Sequence, residues 1–231
     1  IDFNIGGKQW ASLTSITYGS FGDITQGSQR QSAYPTFGLK NFIVQRYGNT
    51  DSAFANPNPN KQSPSDYKQV DVTQKFLFQP KSNIQHILNI QYSNSSDVQR
   101  YDRLTEVAAG APVFAEWYYG PQIWKMNNFG INITKSNLFF DRLKITNALQ
   151  NFEESRFDRE FMVRELRSQR ETVRALSSNI DFDKKINDKL NLIYGLEFVH
   201  NKVGSSASLN SVINQSFDST VTRYPNGSTW F

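Results

Sequence analysis

Apolar and polar side chains alternate along residues 69–78 and 84–92, and this alternation limits what the segments can form. In the first segment the apolar side chains fall on every second position, at Val70, Val72, Phe76 and Phe78. Side chains of a β-strand point to opposite faces with a period of two, so each segment is predicted to be a strand with one apolar and one polar face. Pro80 and the Lys-Ser-Asn sequence at 81–83 predict a tight turn between them.

The same alternation recurs along the chain. It is clearest at residues 190–198, where Leu190, Leu192, Tyr194, Leu196 and Phe198 oppose Asn191, Gly195 and Glu197. Weaker versions occur at residues 1–5, 10–18, 127–133, 143–152 and 176–182. Together these segments predict about eight antiparallel strands in the 231 residues. Residues 19–66 and 205–227 are predicted to be mostly loop, with a possible strand at 41–45.

The lengths of the connections are sorted by position. Tight turns are predicted near residues 7, 81, 135 and 187, and loops of about twenty to fifty residues separate them. In an up-and-down meander, successive connections fall at opposite ends, so all short turns share one end. Short periplasmic turns and long extracellular loops are typical of outer-membrane barrels. We therefore predict an all-β fold, an antiparallel up-and-down transmembrane β-barrel segment.

Two fold alternatives differ in what covers the apolar face. In a membrane barrel the apolar face meets lipid, and the lumen receives the polar side chains Asp71, Lys75, Asn132, Asp181 and Glu197. In a soluble β-sandwich the same apolar face would be buried against a second sheet. Mean hydropathy is −0.57 and no apolar run is long enough for a membrane helix, which leaves both alternatives open.

Several function classes find little support. There is no cysteine, which excludes disulfides and thiolate metal sites. In residues 153–174 six arginines are matched by six acidic residues, so this segment lacks the excess positive charge of a nucleic-acid interface. A short amphipathic helix is an alternative to a strand there. His86 and His200 have no nucleophile or metal-binding motif beside them, and we predict no enzyme, no catalytic residues, no metal and no cofactor.

Two loop motifs contain the candidate ligand-binding residues. Arg100, Tyr101 and Arg103 precede the aromatic pair Trp117 and Tyr118, and a small-molecule ligand could contact both motifs. Each motif has a structural alternative. The charged one could be a set of ion pairs that folds the loop. The aromatic one, with Tyr119 and Trp124, could be the girdle of rings found at membrane interfaces.

Five segments resemble the barrel of TonB-dependent outer-membrane receptors. They are LTSITYGSFGDI (13–24), SSDVQRYDRLT (95–105), AEWYYGPQ (115–122), QNFEESR (150–156) and TRYPNGSTW (222–230). The resemblance extends over nearly the whole chain, and it implies that residues 1–231 are part of a barrel of about 22 strands with a plugged lumen. The plug domain is not expected within these residues.

The resemblance also implies a function. Receptors of this family sit in the outer membrane, surrounded by its lipid, and import scarce nutrients such as iron–siderophore complexes, cobalamin or glycans. The TonB energy-coupling complex drives uptake through the plug domain, by way of an N-terminal part that we do not find here. A passive porin and a soluble carbohydrate-binding β-sandwich are the alternatives in function.

Overall fold

The computed structural model describes residues 1–230 and is built almost entirely of strands. The final residue of the predicted 1–231 domain lies outside the described part. The first strands are β1 (Asp2–Gly6), β2 (Trp10–Phe21), β3 (Ile24–Thr25), β4 (Phe42–Tyr47), β5 (Thr50–Ala55), β6 (Lys61–Gln62), β7 (Tyr67–Lys81), β8 (Ile84–Ser95) and β9 (Val98–Gln99). After the short helix α1 (Tyr101–Leu104) follow β10 (Val107–Ala108), β11 (Ala111–Pro112), β12 (Phe114–Tyr119), β13 (Ile123–Thr134), β14 (Arg142–Glu160), β15 (Glu165–Asn187), β16 (Leu190–Ser211), β17 (Phe217–Ser219) and β18 (Thr229–Trp230). No helix among the described residues is long and apolar enough to cross a membrane.

One large antiparallel sheet organises the chain. Its main path runs β1-β2-β7-β8-β13-β14-β15-β16-β17, so neighbours in the sheet follow one another along the chain once the loop strands are set aside. This is the predicted up-and-down meander. The predicted hairpin at 69–92 is β7 paired with β8, and its ladder has an irregularity between Phe78 and Lys81, next to Pro80.

The connections are sorted as predicted at one end of the sheet. Residues 7–9, 82–83, 135–141 and 188–189 join strands there, and we call this the turn end. The opposite end, which we call the loop end, holds the long loops 22–66 and 96–122. It also holds the four-residue turn 161–164 between β14 and β15, so the prediction of a long loop between the turns near 135 and 187 was wrong. Small pairs of strands form inside these loops, β3 with β6 and β4 with β5. The possible strand at 41–45 is therefore β4 of a separate hairpin.

The charged segment 153–174 forms strand and turn, so the alternative of a short amphipathic helix there is wrong. β14 and β15 are 19 and 23 residues long and extend past the end of β13 at the loop end. Oppositely charged side chains face each other across this extension. Arg167 donates to both carboxylate oxygens of Asp158 at 3.0 and 2.9 Å, and Arg170 pairs with Glu153. Such cross-strand pairs stabilise a ladder, which is why a highly charged sequence continues as strand.

Residues 205–227 were predicted to be mostly loop, and this was wrong for 205–211, which are strand. β16 continues to Ser211 and stays paired with β15 as far as Glu165. The serine-rich composition of 205–211 is unusual for a strand, but each of these residues gains a ladder partner from the unusually long β15. Tertiary pairing therefore overrides a weak local preference.

The register places the predicted apolar stripes on one common face. Phe182 of β15 lies between Leu143 of β14 and Tyr194 of β16, and its ring stacks on Tyr194 at 4.8 Å between centroids. The next row across the sheet is similar and contains Ile131, Ile145, Ile180 and Leu196. We call this the apolar face, and it extends across β1 to β16.

The opposite face, which we call the polar face, receives all five polar side chains predicted for it. Asn132, Lys144 and Asp181 form one cross-strand row, and Asp71, Lys75 and Glu197 lie on the same side in other rows. No second sheet covers the apolar face within residues 1–230, and Leu196 is 74% exposed. The β-sandwich alternative is wrong for this reason, because its apolar face would be buried.

Candidate functional site

The loop end gathers most of the predicted site residues because a loop segment folds back onto the sheet. β12 pairs with the extension of β14 on one side and with β9 on the other. The amide of Arg100 then donates to the carbonyl of Trp117 at 3.0 Å, which holds the start of α1 against β12. Residues from two separated motifs, 95–105 and 115–122, therefore become neighbours through strand pairing.

Strand geometry separates the two predicted aromatic residues. Trp117 pairs with Asp158 and Tyr119 with Arg156, so Trp117 and Tyr119 share the polar face. Tyr118 points to the other side, where its ring stacks on Phe157 at 4.8 Å between centroids. Burial is the main reason that the pKa of Tyr118 is raised, to about 12.

Three of the four aromatic residues that could form a girdle lie on the polar face of the sheet. Trp117, Tyr119 and Trp124 all lie on the polar face, where the indole nitrogen of Trp124 donates to Gln150 at 3.3 Å. The sequence shows where rings cluster, but the side that each ring faces depends on the register of β12 and β13 against β14.

Two arginines and two rings form a compact group on the polar face. The guanidinium carbon of Arg100 lies 4.8 Å from the Trp117 ring centre and 5.6 Å from that of Tyr119. Arg156 approaches the same rings at 5.3 and 5.6 Å. We call these four residues the cation–aromatic cluster. Each cation–ring contact contributes about 0.5–2 kcal/mol, depending on how far it is desolvated.

The predicted cations Arg100 and Arg103 are already neutralised by their own loop. Arg100 donates to both carboxylate oxygens of Asp102, at 2.7 and 2.6 Å, and to the Tyr119 hydroxyl at 2.8 Å. The hydrogen bonds from Arg100 lower the pKa of Asp102 below its usual value. Arg103 pairs with Glu106 at 2.7 Å. These ion pairs are those expected if the motif folds the loop.

Tyr101 begins α1, and its carbonyl accepts a hydrogen bond from the amide of Thr105 at 2.9 Å. Its backbone thus helps to close the short turn that carries Arg100 and Arg103. No contact in the described part of the chain links its ring to the cation–aromatic cluster.

Two charged residues that the sequence did not single out have unsatisfied atoms on the polar face. Arg156 forms no ion pair within the described residues, and its Nε atom is buried without a hydrogen-bond partner. Glu171 is 4% exposed, and its Oε2 atom also lacks a partner. Glu171 lies opposite Glu154, two residues from Arg156. A free donor and a free acceptor side by side could bind a ligand with both kinds of polar group.

A buried ion-pair network fixes the β4–β5 hairpin to the main sheet. Both guanidinium Nη atoms of Arg159 donate to Asp51, at 2.6 and 3.1 Å, and its Nε donates to Glu116 at 2.8 Å. Burial alone would raise the pKa of Asp51, but hydrogen bonds from Arg159 and the Met162 amide lower it below its usual value. We call Asp51, Arg159 and Glu116 the loop clamp.

The described residues contain no group of three or more histidine, cysteine, aspartate or glutamate side chains that could hold a metal ion. The charged groups at the loop end are instead paired with one another, as in the loop clamp, or stacked on rings, as in the cation–aromatic cluster.

Comparison with known proteins identifies a structural relative. No protein-family model matches the sequence, and no curated protein does either. Among solved structures the copper transporter OprC is similar, with a TM-score of 0.62 at 8% sequence identity. The match covers 94% of this chain and 28% of OprC, so the chain spans about 28% of the length of that protein. The predicted fold class is confirmed: the chain has the fold of a segment of an antiparallel up-and-down β-barrel.

Proposed function

We propose that the chain is part of an outer-membrane transporter barrel whose apolar face meets lipid and whose polar face lines the lumen. The observation that carries this proposal is the uncovered apolar band that continues from row to row across adjacent strands. Leu192, Leu196 and Phe198 are between 48% and 74% exposed. Apolar area of this extent requires hydrocarbon or protein against it, and lipid is what outer-membrane barrels place there.

The finer proposal is that the barrel belongs to a receptor of the TonB-dependent kind. The support is the loop-motif resemblance and the long loops at one end of the sheet. A plug domain of the same protein and the TonB energy-coupling complex would then be its partners. Uptake of a scarce nutrient by the complete protein should stop when energy coupling is removed, whereas a passive porin would continue to admit it.

The cargo that the geometry favours is a small molecule with an anionic group and a flat apolar part. The flat part would stack on Tyr119, which is partly exposed, and the anionic group would meet Arg156. OprC is named for copper, but the cation–aromatic cluster consists of arginines and rings. An organic ligand, such as a siderophore complex, a cobalamin or a glycan with acidic groups, fits these better than a bare metal ion.

The orientation can be tested with single cysteines, because the chain has none of its own. Leu196 and Glu197 are consecutive in β16 and lie on opposite faces. We expect a fluorophore on Leu196→Cys to be quenched by quenchers attached to lipid tails, and one on Glu197→Cys by water-soluble quenchers. Equal quenching of both labels by the water-soluble compound would reject the membrane orientation.

A further inference from the structure

A row of basic side chains crosses the apolar face directly above its apolar band. Lys125, Asn151, Arg174 and Lys202 are cross-strand partners in sequence, on β13, β14, β15 and β16. We call these four residues the basic row. Two residues nearer the turn end, the same strands carry Asn127, Leu149, Leu176 and His200, and below that row the face is mainly apolar.

The basic row is a concave surface. It lines a cavity of about 570 Å³ together with Ile123 and Glu153. Adjacent strands are about 4.8 Å apart, so the lysines at its ends are separated by roughly 14 Å between Cα atoms. Tyr92 continues the row on β8, beside Lys125, where an aromatic ring suits the boundary between hydrocarbon and water.

The charges of this surface are not balanced by the protein. Glu153 pairs with Arg170, and Arg174 donates only to the neutral amide oxygen of Asn151, at 3.2 Å. Within residues 1–230, Lys125 and Lys202 form no ion pair. Arg174 and Lys202 face each other directly, and like charges opposed across strands destabilise a sheet. An anion that bridges them would remove this repulsion.

We propose that the basic row binds the phosphorylated headgroup of a membrane lipid. The inference rests on the lipid-facing orientation in the proposed function, because only then do the acyl chains of the same molecule lie along the apolar band below. A phosphate with acyl chains matches both parts of the surface: the cations of the row, and the side chains of Leu149 and Leu176 beneath it. The lipid would bind from the outer surface of the barrel, separate from the polar face and its cation–aromatic cluster.

The test compares two lysines on opposite faces. The full chain is reconstituted in bilayers of phosphatidylcholine with a minor fraction of phosphatidylglycerol, and the lipid retained on the protein is measured by native mass spectrometry. Lys202→Gln removes a charge from the basic row. Lys75→Gln removes an exposed, unpaired charge from the polar face and is the matched control. Each basic side chain near a charged bilayer contributes about fivefold in affinity, so Lys202→Gln should weaken phosphatidylglycerol retention about fivefold and Lys75→Gln should leave it unchanged.

Three outcomes would overturn the proposal. They are equal retention by both variants, no preference for phosphatidylglycerol over phosphatidylcholine in the unmodified chain, and displacement of the lipid by inorganic phosphate alone. The last would mean that the row binds a free anion. The Leu196→Cys chain, with the basic row intact, is also inserted into pure phosphatidylcholine and tested by lipid-tail quenching. Quenching without lipid preference rejects only the basic row, whereas absence of quenching rejects the orientation proposed above.

Discussion

Two leucines of β16 on the apolar face lie at different distances from the turn end. Leu196 lies in the row with Ile131, Ile145 and Ile180, about midway between the turn end and the basic row. Leu192 lies at the turn end, opposite Lys184. If lipid surrounds this face, the two positions lie at different depths in the bilayer.

We predict that Leu196→Arg destabilises the protein more than Leu192→Arg. An arginine at the bilayer midplane costs about 2–4 kcal/mol, and one near the interface costs about 0–1 kcal/mol. The measurement is the free energy of unfolding from lipid bilayers. Glu197→Arg, on the polar face beside Leu196, is the control and should change that free energy little. Equal costs for Leu196→Arg and Glu197→Arg would contradict a lipid-facing band.

Within the cation–aromatic cluster, Arg156 and Arg100 differ in how their charges are compensated. Arg100 is held by Asp102 through two hydrogen bonds, whereas Arg156 interacts with the charge of Glu171 without forming an ion pair or hydrogen bond with it. We therefore predict that Arg156→Gln reduces nutrient uptake by the complete protein roughly tenfold or more, the range for a lost charged hydrogen bond. Arg103→Gln, which removes a cation already paired with Glu106, should have little effect. Growth on a limiting nutrient, with protein levels matched, distinguishes the two variants, and equal growth would argue against Arg156.

At the scale of an element, the loop clamp decides whether the β4–β5 hairpin stays on the sheet. Asp51 and Arg159 are both nearly inaccessible to solvent, and removing one partner of a buried ion pair costs about 3–5 kcal/mol. We predict that Asp51→Asn releases the hairpin, which would be seen as faster hydrogen exchange of the amides in residues 42–55. Asp102→Asn breaks a half-exposed ion pair in the other long loop and is the control, with a cost of about 1 kcal/mol or less. Unchanged exchange in Asp51→Asn would show that the clamp does not hold the hairpin.

The loop clamp should also respond to acid. The pKa of Asp51 is lower in the folded protein than its usual value of 3.8. Such a group stabilises the folded state fully above its unfolded pKa, and this contribution disappears as pH falls through the folded pKa. We therefore expect the hairpin to remain protected from hydrogen exchange at mildly acidic pH and to open only well below about pH 3.8. Opening near neutral pH would contradict the lowered pKa.

On the scale of the whole molecule, the uncovered apolar face determines the solvent that the chain requires. None of the described residues is a large side chain that is fully buried, and the few buried apolar residues include Trp117, Ala148 and Val203. In the orientation proposed above, hydrocarbon covers the apolar face of this sheet. We predict that the chain stays monodisperse only in detergent or lipid, as measured by size-exclusion chromatography with light scattering. A stable monomer in plain buffer would contradict the membrane orientation.

The sequence by itself determined most of the strands, their two faces and the four turns of the turn end. These features are local, since the period-two alternation at 190–198 or the turn residues at 81–83 act within a few residues of one another. The polar residues Asp71, Asn132 and Asp181 were placed on the correct face for the same reason. Parity along one strand needs no knowledge of its neighbours.

Only the tertiary structure decided which distant residues meet. Trp117 and Tyr118 point to opposite faces because they are consecutive in a strand, but only the pairing of β12 with β14 places Trp117 on the polar face beside Arg156. The charges of 153–174 cancel in number, yet the register decides that Arg167 meets Asp158 while Arg174 meets Lys202. Contacts between strands depend on register over long sequence separations, and a shift of one residue would move every side chain to the other face.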